Sequence, residues 1–133
     1  MRLSVKSEYA FLALGYLSSN YGKGLVKIED IANNFNIPQK YLEQILLTLR
    51  KSGYLQSKRG ASGGYSLSRP PENIVLADII RLLDGPLAPI NSVSKYFYEN
   101  TPIEKNQKLM AVFLDIRNYT ATKLEKITLL DIT

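Results

Sequence analysis

Apolar residues recur at helical spacing along most of the 133-residue chain and alternate at strand spacing in one short region only. Tyr9, Leu12, Ala13 and Tyr16 follow i, i+3, i+4, i+7 spacing, with Phe11 and Leu17 nearby, so residues 5–19 are expected to form an amphipathic helix with a wide apolar face. The glycines of Asn20-Tyr21-Gly22-Lys23-Gly24 suit a turn that ends it. Ile28, Ile31, Ala32 and Phe35 mark one face of a short second helix. Asn36 breaks it, since Asn tolerates a left-handed backbone, and Pro38 fits the first turn of a third helix, where its missing N–H is no loss. That helix has a clean stripe of Leu42, Ile45, Leu46 and Leu49, and Gly53 lies past its end. Two helices joined by so short a turn follow the helix-turn-helix plan.

Strand-like segments 54–58 and 64–68 flank Arg59-Gly60-Ala61-Ser62-Gly63, which supplies the turn of a hairpin. A helix-turn-helix followed at once by such a ribbon is a winged helix. Leu76, Ile79, Ile80 and Leu83 mark another helix, stopped at Gly85-Pro86. Residues 86–102 hold three prolines and the cluster Tyr96-Phe97-Tyr98, and read as an irregular loop. A long helix from about Pro102 to Thr122 carries Leu109, Val112, Phe113 and Ile116 on one stripe, with Met110 and Leu114 apolar off it. A helix apolar on more than one face needs two partners. Its own domain supplies one and a second copy of the chain the other; a monomer core is the alternative. Residues 127–133 read as a short terminal helix docked on that dimer. The expected fold is thus mainly α with a small β-hairpin. A winged helix-turn-helix domain covers 1–85, with its wing at 54–68. An effector or interface loop covers 86–102, and a dimerisation helix with a C-terminal segment covers 103–133.

Charge adds a partner class. The net charge is +5, but residues 1–70 carry +6 and residues 71–133 carry −1. A basic half joined to a near-neutral remainder suggests a module that binds a polyanion. The polar face of the third helix presents Gln39, Lys40, Tyr41, Glu43, Gln44 and Arg50. Gln pairs with adenine, Lys with guanine and Glu with the cytosine amino group, as a recognition helix requires. Lys58 and Arg59 flank the wing turn, where Gly60, Gly63 and Gly64 permit close backbone approach. An Arg there suits a narrow minor groove. A solvated helix face and a plain surface hairpin are the alternatives.

The absences remove whole classes of chemistry. There is no Cys and no His, so disulfides, thiolate or imidazole metal sites, Cys nucleophiles and His bases are excluded, and no cofactor is expected. Arg59-Gly60-Ala61-Ser62-Gly63-Gly64 is glycine-rich but lies between strands, unlike nucleotide-binding loops. No enzyme is expected. No apolar run approaches the roughly 18 residues that cross a bilayer, and the first residues lack the apolar core of a leader, so the expected location is the cytoplasm.

Residues 41–69 resemble the signature of the Rrf2 family of bacterial winged-helix transcriptional regulators. Its three parts stand at Tyr41 to Gln44, Leu49 to Gly53 and Arg59 to Tyr65. The opening Ser4 to Ala10, the run Ala77 to Pro86 and the terminal Ile127 to Ile132 are similar to further family segments. The resemblance implies a homodimeric regulator, expected to be a repressor, on a partly palindromic operator in double-stranded DNA. By position it implies base reading by Gln39, Lys40, Tyr41, Glu43 and Gln44, and a minor-groove role for Arg59. It implies phosphate contacts from Arg2, Ser57 and Lys58. Sensor members carry three cysteines in the loop after the post-wing helix. This chain has none, so an iron–sulfur cluster held in that manner is ruled out. The expected signal is then a small-molecule or protein effector. The other reading is a winged-helix interaction module that works through a partner protein.

Overall fold

The strict stripe of the third helix and the period switch after Gly53 both reappear in the computed structural model, which describes residues 1–133. Its helices are α1 (Val5–Ser19), α2 (Ile28–Phe35), α3 (Gln39–Lys51), α4 (Leu76–Asp84) and α5 (Gln107–Lys126). Strands β1 (Leu55–Lys58) and β2 (Gly64–Leu67) form an antiparallel hairpin between α3 and α4. Short 3-10 turns occupy Pro71–Asn73, Asn91–Val93, Pro102–Lys105 and Leu130–Ile132. Internal contacts group the chain into two units, Val5–Ile74 with Thr128–Thr133, and Met1–Ser4 with Val75–Ile127. This grouping differs from the segments 1–85, 86–102 and 103–133 in placing α4 with α5.

In the first unit, all four stripe residues of α3 are buried, with Ile31 and Ala32 of α2 and Leu55 and Leu67 of the hairpin. Asn36 takes the left-handed conformation (φ 53°), and the N–H of Ile37 returns to the carbonyl of Ala32 at 3.0 Å. That single residue sets the sharp turn between α2 and α3. On α1 the buried face is Ser7, Ala10, Ala13, Leu14, Leu17 and Ser18. The expected face of Tyr9, Leu12, Ala13 and Tyr16 is therefore corrected by rotation, and Leu12 is exposed. Small residues line the contact because they let the helix approach its neighbours closely. The terminal segment packs within this same unit rather than waiting for a dimer. Leu129 is fully buried and its N–H donates to the carbonyl of Ile74 at 3.0 Å. The hydroxyls of Ser18 and Thr133 are 2.7 Å apart.

In the second unit α4 packs on α5, and Arg81 pairs with Glu125 at 2.7 Å. Ser4 holds Asp84 through its N–H at 2.9 Å and its hydroxyl at 2.5 Å. Asn106 caps α5 by accepting from the N–H of Leu109 at 3.1 Å, so the helix begins at Gln107 and Pro102 opens a separate 3-10 turn. The loop 86–102 has its own order. Leu87, Ala88 and Val93 are buried, and the hydroxyl of Thr101 donates to that of Ser92 at 2.7 Å. Tyr96, Phe97 and Tyr98 are exposed.

Leu129→Ala is expected to cost about 2–5 kcal/mol of unfolding free energy. Urea denaturation at one protein concentration measures this. A change near zero would show that the terminal segment does not belong to the core.

Candidate nucleic-acid interface

α3 turns its apolar stripe inward, and the same 3.6-residue period turns Gln39, Lys40, Tyr41, Glu43 and Gln44 to solvent. Tyr41 is not loose. Its ring meets Tyr9 of α1 edge to face, with centroids 5.8 Å apart. Arg50, in the last turn of α3, is exposed as well.

The wing owes its position to backbone pairing. Leu55 faces Leu67, Gln56 faces Ser66, Ser57 faces Tyr65 and Lys58 faces Gly64. A third segment joins: the N–H of Val26 donates to Tyr65 at 2.8 Å, and the N–H of Tyr65 donates to Val26 at 2.7 Å. Two glycines make this possible. A Cβ on Gly63 would fall on the carbonyl of Lys58, and one on Gly64 would lie 2.5 Å from the carbonyl oxygen of Val26. Arg69 braces the base of the wing, its guanidinium 4.6 Å from the ring centre of Tyr54.

Between the wing, the start of α2 and the end of α3 lies an open cleft of about 590 Å³. Ser57, Lys58, Arg59, Gly60, Gly63 and Gly64 all line it, and so do Lys27, Arg50 and Glu29. Four cations thus share one carboxylate there, and none of the four is in an ion pair. Of the expected binding residues, the structure brings together those of the wing. The five from the first turns of α3 form a separate exposed row on that helix. Arg2 is exposed on the extended residues 1–4 and belongs to the other unit. Lys27 is the cleft cation that sequence reasoning passed over. Its signal was only its place before an apolar-periodic helix, and pairing through Val26 carries it to the wing.

The expected interface residues of α5 divide. Leu109, Val112 and Ile116 are 41%, 53% and 45% exposed, while Phe113 is half-buried against its own unit.

A family profile described as Rrf2, iron-dependent transcriptional regulator, matches residues 3–133. The HTH-type transcriptional regulator CymR of Bacillus subtilis is 39% identical over 90 residues, 68% of this chain and 65% of that protein. A second curated relative, a putative HTH-type regulator of Mycobacterium tuberculosis, is 41% identical over 70% of this chain and 58% of its own length. The matched stretches thus cover less than two thirds of the length of these two relatives. Among solved structures, that of CymR, described as the global cysteine regulator of B. subtilis, superposes with a TM-score of 0.80 at 31% identity, covering 99% of this chain and 95% of that one. The structure of T. potens IscR superposes with a TM-score of 0.75 at 32% identity, covering 99% and 85%.

The profile's description names iron, and the donors present here do not fit it. The chain has neither Cys nor His, and its carboxylates nowhere gather three together as a metal site.

Gly63→Ala is expected to detach the wing while leaving the helices folded. Amide exchange reads this: Tyr65 should lose its protection, and Leu46 should keep it. Retained protection at Tyr65 would mean that the backbone tolerates a Cβ there.

Proposed function

The chain belongs to the Rrf2 family of transcriptional regulators, and on that premise we propose that it is a homodimeric, sequence-specific DNA-binding regulator that represses transcription. The cleft beside the wing is the observation that carries this reading. Unpaired cations gathered on a concave surface, next to an exposed polar helix, are the electrostatic footprint of a phosphate backbone. In this reading α3 enters the major groove. Gln39, Lys40, Tyr41, Glu43 and Gln44 face base edges, and the edge contact with Tyr9 fixes the ring of Tyr41 before DNA arrives. The wing reaches the adjacent minor groove with Arg59, and Gly60, Gly63 and Gly64 allow its backbone to approach. Ser57, Lys58 and Arg2 take phosphates, and Lys27 and Arg50 join them from the cleft.

Dimerisation rests on α5. Leu109, Val112 and Ile116 are exposed apolar residues on one face of a 20-residue helix, and a second copy would remove them from water. Two copies present two recognition helices, which calls for a partly palindromic operator. The segment 86–102, with its exposed aromatics, is the proposed effector or interface region, and the cytoplasm is the proposed location. No helix is long and apolar enough to cross a membrane.

The test uses DNA that the protein selects from a random library. Gln44→Ala should lose about 1–3 kcal/mol of discrimination at one base pair. Arg59→Ala, Lys27→Ala and Arg50→Ala should each lower the slope of log affinity against log salt by about one. Fluorescence anisotropy across a salt series measures both. Footprints identical to the parent's for Gln44→Ala and Arg59→Ala would overturn the assigned contacts. No binding to any selected sequence at low salt would favour a protein-interaction module instead.

A further inference from the structure

In the unit of residues 75–127, two cations meet at the ring of Tyr96, and one of them also holds a carboxylate. Arg81 of α4 donates to Oε1 of Glu125 on α5 at 2.7 Å. The guanidinium carbon of Arg81 lies 4.7 Å from the ring centre of Tyr96, and the ammonium of Lys95 lies 5.2 Å from that same centre. One ring therefore meets two cations. Arg117 stands on α5 about two turns before Glu125. Its Nε is enclosed and has no hydrogen-bond partner. A buried N–H left unpaired costs about 1–3 kcal/mol, so native structures seldom keep one without reason. The hydrogen bond from Arg81 is the chief cause that lowers the Glu125 carboxyl below its ordinary value. Burial of the carboxyl opposes this, and the charges of Lys95, Arg81 and Arg117 add smaller contributions in the lowering direction. Asp84 accepts from Ser4, and Glu104 accepts from the hydroxyl of Tyr98 at 2.6 Å.

We propose that Arg81, Lys95, Tyr96 and Arg117 form a binding site for a small oxyanion that carries carboxylate or phosphate groups. Of these cations only Arg81 is in an ion pair, so Lys95 and Arg117 keep charge that such a ligand would neutralise. A guanidinium offers a planar fork of donors that matches carboxylate and phosphate oxygens. The parts differ in exposure. Arg81 is anchored, its side chain only 13% exposed and tied to Glu125. Lys95 and Tyr96 stand on the exposed part of the loop, with Tyr96 63% exposed, and can close over a ligand. The site shares no residue with the proposed DNA interface and does not depend on that reading.

Isothermal titration of the full-length protein tests it, with inorganic phosphate in one series and succinate in another, at ionic strength held constant with sodium chloride. Saturable one-site binding of at least one anion is expected. Lys95→Ala and Arg117→Gln should each weaken it about tenfold, the loss of one charged hydrogen bond. Lys105→Ala, a cation of the same unit outside the cluster, should leave it unchanged. Phosphate alone binding identifies a phosphoryl ligand, and succinate alone a carboxylate. The proposal fails if neither anion binds saturably, or if Lys95→Ala binds as the parent does. Lys95 is exposed, so that variant keeps the test decisive even if Arg117→Gln does not fold.

Discussion

The two backbone hydrogen bonds between Val26 and Tyr65 turn a loop and a hairpin into a wing. A two-stranded hairpin alone is marginal in water, because it lacks enough partners to offset the entropy of ordering it. The added segment supplies one bridge of two hydrogen bonds at the residue where β2 passes the α1–α2 connection. Gly63 and Gly64 allow it, since a Cβ at either would meet backbone. The same pairing builds the cleft. Lys27 follows Val26 directly, so the residue that ties down the wing also delivers a cation beside Lys58 and Arg59. Anchoring and charge placement are thus one event in the fold.

The second unit depends on how α5 divides its faces. Phe113, Arg117, Ala121 and Leu124 turn toward their own chain and are wholly or partly buried. Leu109, Val112, Ile116 and Tyr119, spaced i, i+3, i+7, i+10, are exposed. A helix whose apolar residues exceed what its own unit covers is under-partnered, and the dimer proposal rests on that imbalance rather than on length.

Legibility followed the strictness of the period. The α3 stripe was readable because the helix has one wet face and one dry one, and the hairpin because its glycine-rich turn residues admit few alternatives. α1 was readable as a helix but not in rotation. It is apolar around much of its surface, and large aromatics drew the reading to Tyr9 and Tyr16, whereas close packing selected Ala10, Ala13 and Ser7. The start of α5 was drawn to Pro102, but the cap is the carboxamide of Asn106, whose bond to the Leu109 N–H carries no hydrophobic signal. The family profile and the wing residues were visible in the sequence. Lys27 in the cleft and Leu129 in the core were not, since only long-range pairing sets their places. The cluster around Glu125 lay hidden for the same reason, its members drawn from α4, the loop and α5.

The loop 86–102 carries a further consequence for how a signal would act. A loop organised by a metal gains its order from the ligand bonds and loses it with the metal. Here the order is internal: Asn91 accepts from the N–H groups of Ser94 and Glu99 at 3.1 and 3.3 Å, and Ser94 accepts from that of Phe97 at 3.0 Å. Ser92 and Ser94 are buried within it. The fold of this segment therefore does not wait for a ligand. An oxyanion bound by Arg81, Lys95 and Arg117 would change the electrostatics of a structure already formed. Its leverage would come from neutralising cations gathered near the ring of Tyr96, and so from the balance between arrangements of Lys95 and Tyr96 rather than from folding the loop.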